Sequence, residues 1–257
     1  MLVKPHLSKL ALLTTMSLLS FLSFPERGTA KDCIAPVISG PAAWPPLVIP
    51  DGDTGNRFGL AIDVNREVLK EIGATAHLDP PKPWNRVLRD LETGDIDMVF
   101  ALLDSAERRK KFTYTDVWAH DTYGVVTLKD KKLNYSTIED LKHLKGAYYA
   151  YLKIPPPLDK LLENTTDFQS IKNVASLYKI LHQGRVDYLI VSVATFFWFT
   201  PEEYQKSDFK VVENSVIELP VYMAISTQSP CVKYLEEINA ALHKKRDRIR
   251  KSLSPSN

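Results

Sequence analysis

Short apolar runs alternate with segments of helical periodicity along this chain, and no other feature constrains its fold as much. The runs are Ala35 to Ser39, Met98 to Leu103, Tyr123 to Leu128, Ala147 to Leu152, Tyr188 to Val193 and Val221 to Ser226, and their length and flanks read as strands. Between them, Ile62, Val64, Val68, Leu69 and Ile72 recur at helical spacing before Gly73. Trp84, Val87, Leu88 and Leu91 do the same before Gly94, and Val174, Leu177, Tyr178 and Leu181 before Gly184. A glycine at that place is a helix stop. Strands alternating with helices predict an α/β architecture of mostly parallel sheets, covered by helices on both faces. Two near-identical phrases, Gly94-Asp95-Ile96-Asp97 and Gly184-Arg185-Val186-Asp187, each lead into an apolar run, which suggests the same βαβ unit in two places.

The first thirty residues are read separately. Lys4 and Lys9 precede an apolar stretch from Leu10 to Phe24, and Gly28-Thr29-Ala30 offers small residues for cleavage, the three parts of a secretory signal peptide. A retained anchor, the alternative, needs roughly 18–20 clean apolar residues. Export with cleavage after Ala30 is the expectation. The remaining chain of about 227 residues is large for one lobe and comfortable for two.

Of 33 basic and 31 acidic residues, Lys4, Lys9, Arg27 and Glu26 fall in the leader, so the remainder is balanced in charge. Nucleic-acid binding normally shows a basic excess or stripe, and no nucleic-acid partner is expected. The basic run Lys244 to Lys251 sits on an expected C-terminal helix, where it reads as a solvated face favoured by the helix dipole. Cys33 and Cys231 in an exported protein are expected to form a disulfide, two free buried thiols being the alternative. Cys33 is not placed for lipidation.

Four phrases in order resemble solute-binding protein family 3, the amino-acid-type periplasmic receptors of the type II fold. They are Trp44-Pro45-Pro46-Leu47; Gly55 to Asp63; Pro83-Trp84 followed by Leu91 to Asp97; and Ser105-Ala106-Glu107-Arg108 through Tyr114. The resemblance implies two Rossmann-like lobes joined by a two-strand hinge, with the ligand cleft between them. Lobe 1 would comprise residues 31–124 and 217–257, and lobe 2 residues 125–216. The chain would cross near Tyr123 to Val126 and return near Ser215 to Pro220, and lobe closure would bury the ligand. Both cysteines fall in lobe 1, which leaves the hinge free.

Arg108 leads the candidate site, because a planar guanidinium suits bidentate capture of a carboxylate. The resemblance implies that role for it alone in the run Arg108-Arg109-Lys110-Lys111; the competing reading is a solvated charged face. Trp44 and Trp84 are candidate cleft walls, with ordinary core packing as the alternative. Ser105, Tyr123, Tyr151 and Ser192 complete the ligand-binding set. Asp63 and Asp97 match family positions but read as structural, beside a helix start and a strand entrance.

Two departures bear on the ligand. Eight residues after Gly184, where amino-acid receptors carry an aspartate for the ligand's ammonium, this chain has Ser192. Where lobe 2 usually offers a turn rich in free N–H groups, it has Lys153-Ile154-Pro155-Pro156-Pro157, and proline donates none. Both argue against a standard α-amino acid. Asp104 is a candidate substitute acid. Tyr148, Tyr149, Tyr151 and the Phe196 to Phe199 cluster favour an aromatic or apolar acid, or a short peptide.

The expected function is therefore periplasmic capture of a small carboxylate-bearing solute for an ABC-type inner-membrane permease, by a monomer without metal or cofactor. The rival readings are an enzyme on the same fold resembling cyclohexadienyl dehydratases, and a sensor docking on a membrane signalling protein. A dehydratase needs a carboxyl or histidine at the ligand. His120 and Asp121 are the one nearby pair, here expected in a loop. The histidines are scattered singly, in no metal-ligand spacing.

Overall fold

The computed structural model describes residues 32–133, 137–150, 158 and 167–253, which form a mixed α/β fold around one large sheet. The expected signal peptide, Tyr151 and the 153–157 proline run lie outside the described residues. The strands are β1 (Val37–Ser39), β2 (Ile49–Pro50), β3 (Arg57–Phe58), β4 (His77–Leu78), β5 (Met98–Leu103), β6 (Phe112–Tyr114), β7 (Ala119–Leu128), β8 (Gly146–Tyr149), β9 (Phe168–Ile171), β10 (Tyr188–Ser192), β11 (Phe209–Val211) and β12 (Ile217–Ser226). The helices are α1 (Leu60–Glu71), α2 (Trp84–Thr93), α3 (Ala106–Arg109), α4 (Val174–His182), α5 (Val193–Trp198) and α6 (Leu235–Leu253).

The sheet runs β4-β1-β5-β12-β7-β10-β8-β9, with β6 added to β12 and β11 to β7. Its two halves repeat one pattern. In the first, β1 is parallel to β4 and β5, and β5 and β6 are antiparallel to β12. In the second, β8 is parallel to β9 and β10, and β10 and β11 are antiparallel to β7. Among the described residues, the strand ladder that joins the halves is the pairing of the two longest strands, Ala119 to Tyr123 against Val221 to Ile217.

The repeated sequence phrases hold corresponding places. Gly94 and Gly184 follow α2 and α4 with φ of 82° and 67°, a left-handed turn that glycine makes at no steric cost. The aspartates that follow tie strand to strand. Asp97 accepts from the Val37 N–H at 2.8 Å and the Ser229 hydroxyl at 2.7 Å, while Asp187 accepts from the Lys145 N–H at 2.6 Å and from the Lys131 ammonium.

Each half fills its own core. Ile38, Val64, Leu69, Met98, Ile225 and Leu242 are fully or nearly fully buried in the first, and Val126, Ala147, Leu181, Leu189 and Phe196 in the second. Phe196 stacks on Tyr178 with ring centroids 4.5 Å apart, so the most buried member of the Phe196 to Phe199 cluster is core.

One expectation needs correction. His120 and Asp121 lie within β7 and not in a loop, because β7 starts four residues before the apolar run that announced it. The basic run of α6 is largely exposed and adds surface ion pairs to α1: Lys244 and Lys245 reach Glu71, and Arg248 grips Glu67 with two hydrogen bonds, the longer 2.8 Å.

Cys33 and Cys231 are joined in a disulfide, with their Cα atoms 4.8 Å apart and a sequence separation of 198. The bond fastens the segment before β1 to the turn before α6. Constraint of so long a loop in the unfolded chain is worth about 2–5 kcal/mol. A Cys33→Ser, Cys231→Ser double variant is therefore expected to lose about that much stability in urea unfolding, while retaining the native circular dichroism spectrum.

Candidate functional site

In open α/β sheets, ligands gather at the carboxyl ends of the strands. The candidate residues lie there. Trp44 follows β1, Ser105 and Arg108 follow β5, and Ser192 ends β10. The loop after β1 is fixed by Arg57, whose buried guanidinium donates to the carbonyls of Gly40 at 2.6 Å, Pro41 at 3.2 Å and Asp79 at 2.6 Å. Trp44 and Val48 then close a short antiparallel bridge.

So held, Trp44 reaches the junction of the two halves. Its indole N–H donates to Asp121 Oδ2 at 2.8 Å. The other oxygen, Oδ1, accepts from the Ser192 hydroxyl at 3.0 Å and from the Thr122 N–H at 2.9 Å. Thr195, one turn beyond Ser192, has its hydroxyl 3.0 Å from that of Ser192 and donates to the Pro45 carbonyl at 3.0 Å. A closed polar circuit thus runs from the β1 loop through β7 to β10 and α5 and back. Asp121, Tyr123 and Ser192 are all at least nine-tenths buried in it.

Strand alternation explains which side chains converge. Asp121 and Tyr123 are two residues apart on β7 and share a face, while His120 points to the other side and is exposed. The His120–Asp121 pair is therefore split. Burial pushes the Asp121 carboxyl up to about 6, against the lowering effect of its hydrogen bonds. Burial and the adjacent carboxylate likewise raise Tyr123 well above its ordinary range.

Arg108 forms a second cluster. The hydroxyl of Ser105 caps α3 by accepting from the Arg108 N–H at 3.2 Å. The guanidinium donates to the Leu103 carbonyl at 3.0 Å and stands 5.8 Å above the Trp84 ring at the start of α2. It is half-buried, and burial lowers its pKa. Its neighbours are differently placed: Arg109 pairs with Asp104 at 2.7 Å and Lys111 with Glu92 at 3.1 Å. Asp104 is thereby engaged on the surface by Arg109, which corrects its reading as the substitute acid. Among the described residues Arg108 has no carboxylate partner.

Backbone register relates the two clusters. Leu103 pairs with Val221, and Val221 with Ala119, so the carbonyl that holds Arg108 lies two strand spacings, roughly 10 Å, from the start of β7. A shallow depression lined by Leu128, Lys129, Asp130, Lys131 and His182 lies at the far end of β7 and shares no residue with either cluster.

Sequence reading missed the role of Asp121 and Thr195 altogether, and passed through Pro45 and Arg57 in the quoted phrases without giving either a role at the site. The signals were weak but present: Asp121 is two residues before Tyr123, and Thr195 is three after Ser192. The departure at Ser192 now has a structural counterpart, because its hydroxyl meets a carboxylate supplied by the adjoining strand. That carboxyl, ordinarily near 3.8, stands at about 6 in the folded chain. The native state therefore binds a proton that the unfolded state has released, and stability from this group is full below pH 4 and lost as pH rises to 6 and beyond. The loss is on the order of 3 kcal/mol. Urea unfolding of the ligand-free protein from pH 4 to 7 is expected to show the wild type losing stability relative to Asp121→Asn across that interval, whatever the offset between them.

The sequence matches the bacterial extracellular solute-binding proteins, family 3, over residues 37–253. It is 26% identical over 197 residues to the L-cystine-binding protein TcyJ of Escherichia coli (strain K12), covering 72% of each chain. It is 24% identical over 145 residues to the L-cystine-binding protein TcyA of Bacillus subtilis (strain 168), covering 56% of this chain and 52% of that one. Among solved structures, an ancestral arginine-binding protein bound to arginine superposes with a TM-score of 0.68 at 21% identity, covering 86% of this chain and 98% of the other. An ancestral amino acid-binding protein described as a precursor of cyclohexadienyl dehydratase does so with a TM-score of 0.66 at 20% identity, over 85% and 94% of the two chains. These structures share the two-lobed type II fold, and with the match along most of its length the chain belongs to the bacterial extracellular solute-binding proteins, family 3.

Proposed function

We propose that the protein is a periplasmic receptor that closes two lobes around a small, carboxylate-bearing, amino-acid-like solute and delivers it to an ABC-type permease. The observation that carries this reading is Arg108: a half-buried guanidinium at the carboxyl edge of the sheet, with an aromatic ring beside it and no carboxylate partner among the described residues. Withdrawing a cation from water without an acid to pair with it is costly. A ligand carboxylate recovers that cost through a bidentate pair.

The lobes are residues 31–124 with 217–257, and 125–216, and the β7–β12 pairing is the hinge between them. Trp44, Trp84, Ser105, Tyr123 and Ser192 line the cleft with Arg108. The signal peptide of residues 1–30 directs export, and the receptor acts as a monomer. The relatives named for cystine and arginine support an amino-acid-like ligand.

A second reading, a lyase on the same scaffold, draws on one observation: a buried carboxyl raised to about 6 is suited to proton transfer near neutral pH. Against it, the carboxyl is held by hydrogen-bond donors on both oxygens and His120 faces away.

The test is thermal unfolding against L-cystine, L-arginine, L-glutamine, aromatic acids, short peptides and a prephenate-like acid. A ligand at 100 times its dissociation constant adds about 2.7 kcal/mol. One acid is expected to raise the melting temperature, to be recovered unchanged, and to bind Arg108→Ala about 30-fold or more weakly. Recovery as product favours the lyase, and retention of full affinity by Arg108→Ala removes Arg108 from the site.

A further inference from the structure

Arg109, the neighbour of Arg108, is exposed yet held from three directions. Its Nε donates to Asp104 Oδ2 at 2.7 Å. Its guanidinium carbon stands 4.7 Å from the centre of the Tyr114 ring and 5.1 Å from that of Tyr222, and the two rings meet edge to face at 5.4 Å. An exposed ion pair alone contributes little. Here one planar cation uses its edge for a carboxylate and its face for aromatic rings. The partners come from separate elements: Asp104 follows β5, Tyr114 ends β6 and Tyr222 lies on β12.

The place of this clamp gives it a consequence for the ligand. α3 is a single turn, Ala106–Arg109. One turn of helix fixes several residues for very few hydrogen bonds, so its orientation depends on what holds it from outside. Ser105 holds the front, its hydroxyl accepting from the Arg108 N–H at 3.2 Å and its carbonyl from the Arg109 N–H at 2.9 Å. The Arg109 side chain holds the rear. Arg108 leaves the same turn one residue earlier, about 100° round the helix axis, so its direction is set once that of the turn is. A bidentate pair of guanidinium and carboxylate is directional, and a rotation of α3 misaims Arg108 without removing its charge.

We infer that Arg109 is a positioning residue: clamped by Asp104, Tyr114 and Tyr222, it fixes α3 so that the Arg108 guanidinium meets the ligand carboxylate squarely. This rests on the receptor reading of Arg108 and adds to it the device that aims the arginine. Arg109 acts through Arg108 and not on the ligand. Lys111 pairs with Glu92 across the surface and serves as the control for the loss of one positive charge nearby.

The test is isothermal titration of the protein with the acids of the panel, each beside its amide: argininamide for L-arginine, the diamide for L-cystine, phenylacetamide for phenylacetate. Wild type is expected to bind an acid about 30-fold or more tightly than its amide. Arg109→Ala and Tyr222→Ala each lose about tenfold or more of that preference while binding the amide as wild type does. Tyr222→Phe, which keeps the ring, and Lys111→Ala, which removes only a charge, retain it. Tyr222→Ala carries the test where Arg109→Ala fails to fold. Undiminished preference in either alanine variant of the clamp, an equal fall in affinity for acid and amide, or the same loss of preference in Lys111→Ala overturns the inference, and abolition of the preference by Arg108→Ala then leaves the receptor reading intact. A preference absent from wild type or kept by Arg108→Ala, or binding of no compound in the panel, overturns the receptor reading and this inference with it.

Discussion

Everything in this molecule hangs on the antiparallel pairing of Ala119 to Tyr123 with Val221 to Ile217. Among the described residues it is the one place where the two halves of the sheet share a strand ladder, and both strands then continue into different halves. β7 runs on to pair with β10 and β11, and β12 to pair with β5 and β6. The disulfide and the α1–α6 ion pairs lie wholly on one side of it, so they stiffen the first half without restraining the junction.

How much of this was legible depended on whether a feature is local. The helix ends at Gly94 and Gly184 and the strands that follow could be read because a positive-φ stop and an apolar run are written within a few residues. The disulfide could be read because two cysteines in a chain expected to be exported leave few alternatives. The early half of β7 could not: His120, Asp121 and Thr122 carry none of the apolar pattern that marks a strand. Their strand character comes from pairing with Pro220, Leu219 and Glu218, across about a hundred residues of sequence, and no local window contains both partners.

The charge run after β5 shows the same limit in another form. Four consecutive basic residues look alike in sequence, yet the structure sorts them by what each can reach. Arg109 and Lys111 find acids at the surface, and Arg108 turns inward to a carbonyl and an aromatic face. The first turn of α3 does the sorting, since the Ser105 cap fixes where each side chain leaves the helix. A resemblance to family 3 singled out Arg108; the geometry sets it apart from Arg109 and Lys111, which are paired with Asp104 and Glu92.

Ser192 and Asp121 show how a position and a charge become separable. A hydroxyl at the end of β10 cannot neutralise an ammonium, but it can donate to a carboxylate that β7 brings alongside, because Ser192 and Tyr123 are direct partners across the ladder and Asp121 is two residues from Tyr123 on the same face. The acid thereby moves from the wall of one half to the strand that joins both. A charge placed there meets Trp44 from one half of the sheet and Ser192 from the other, so one carboxyl answers to both.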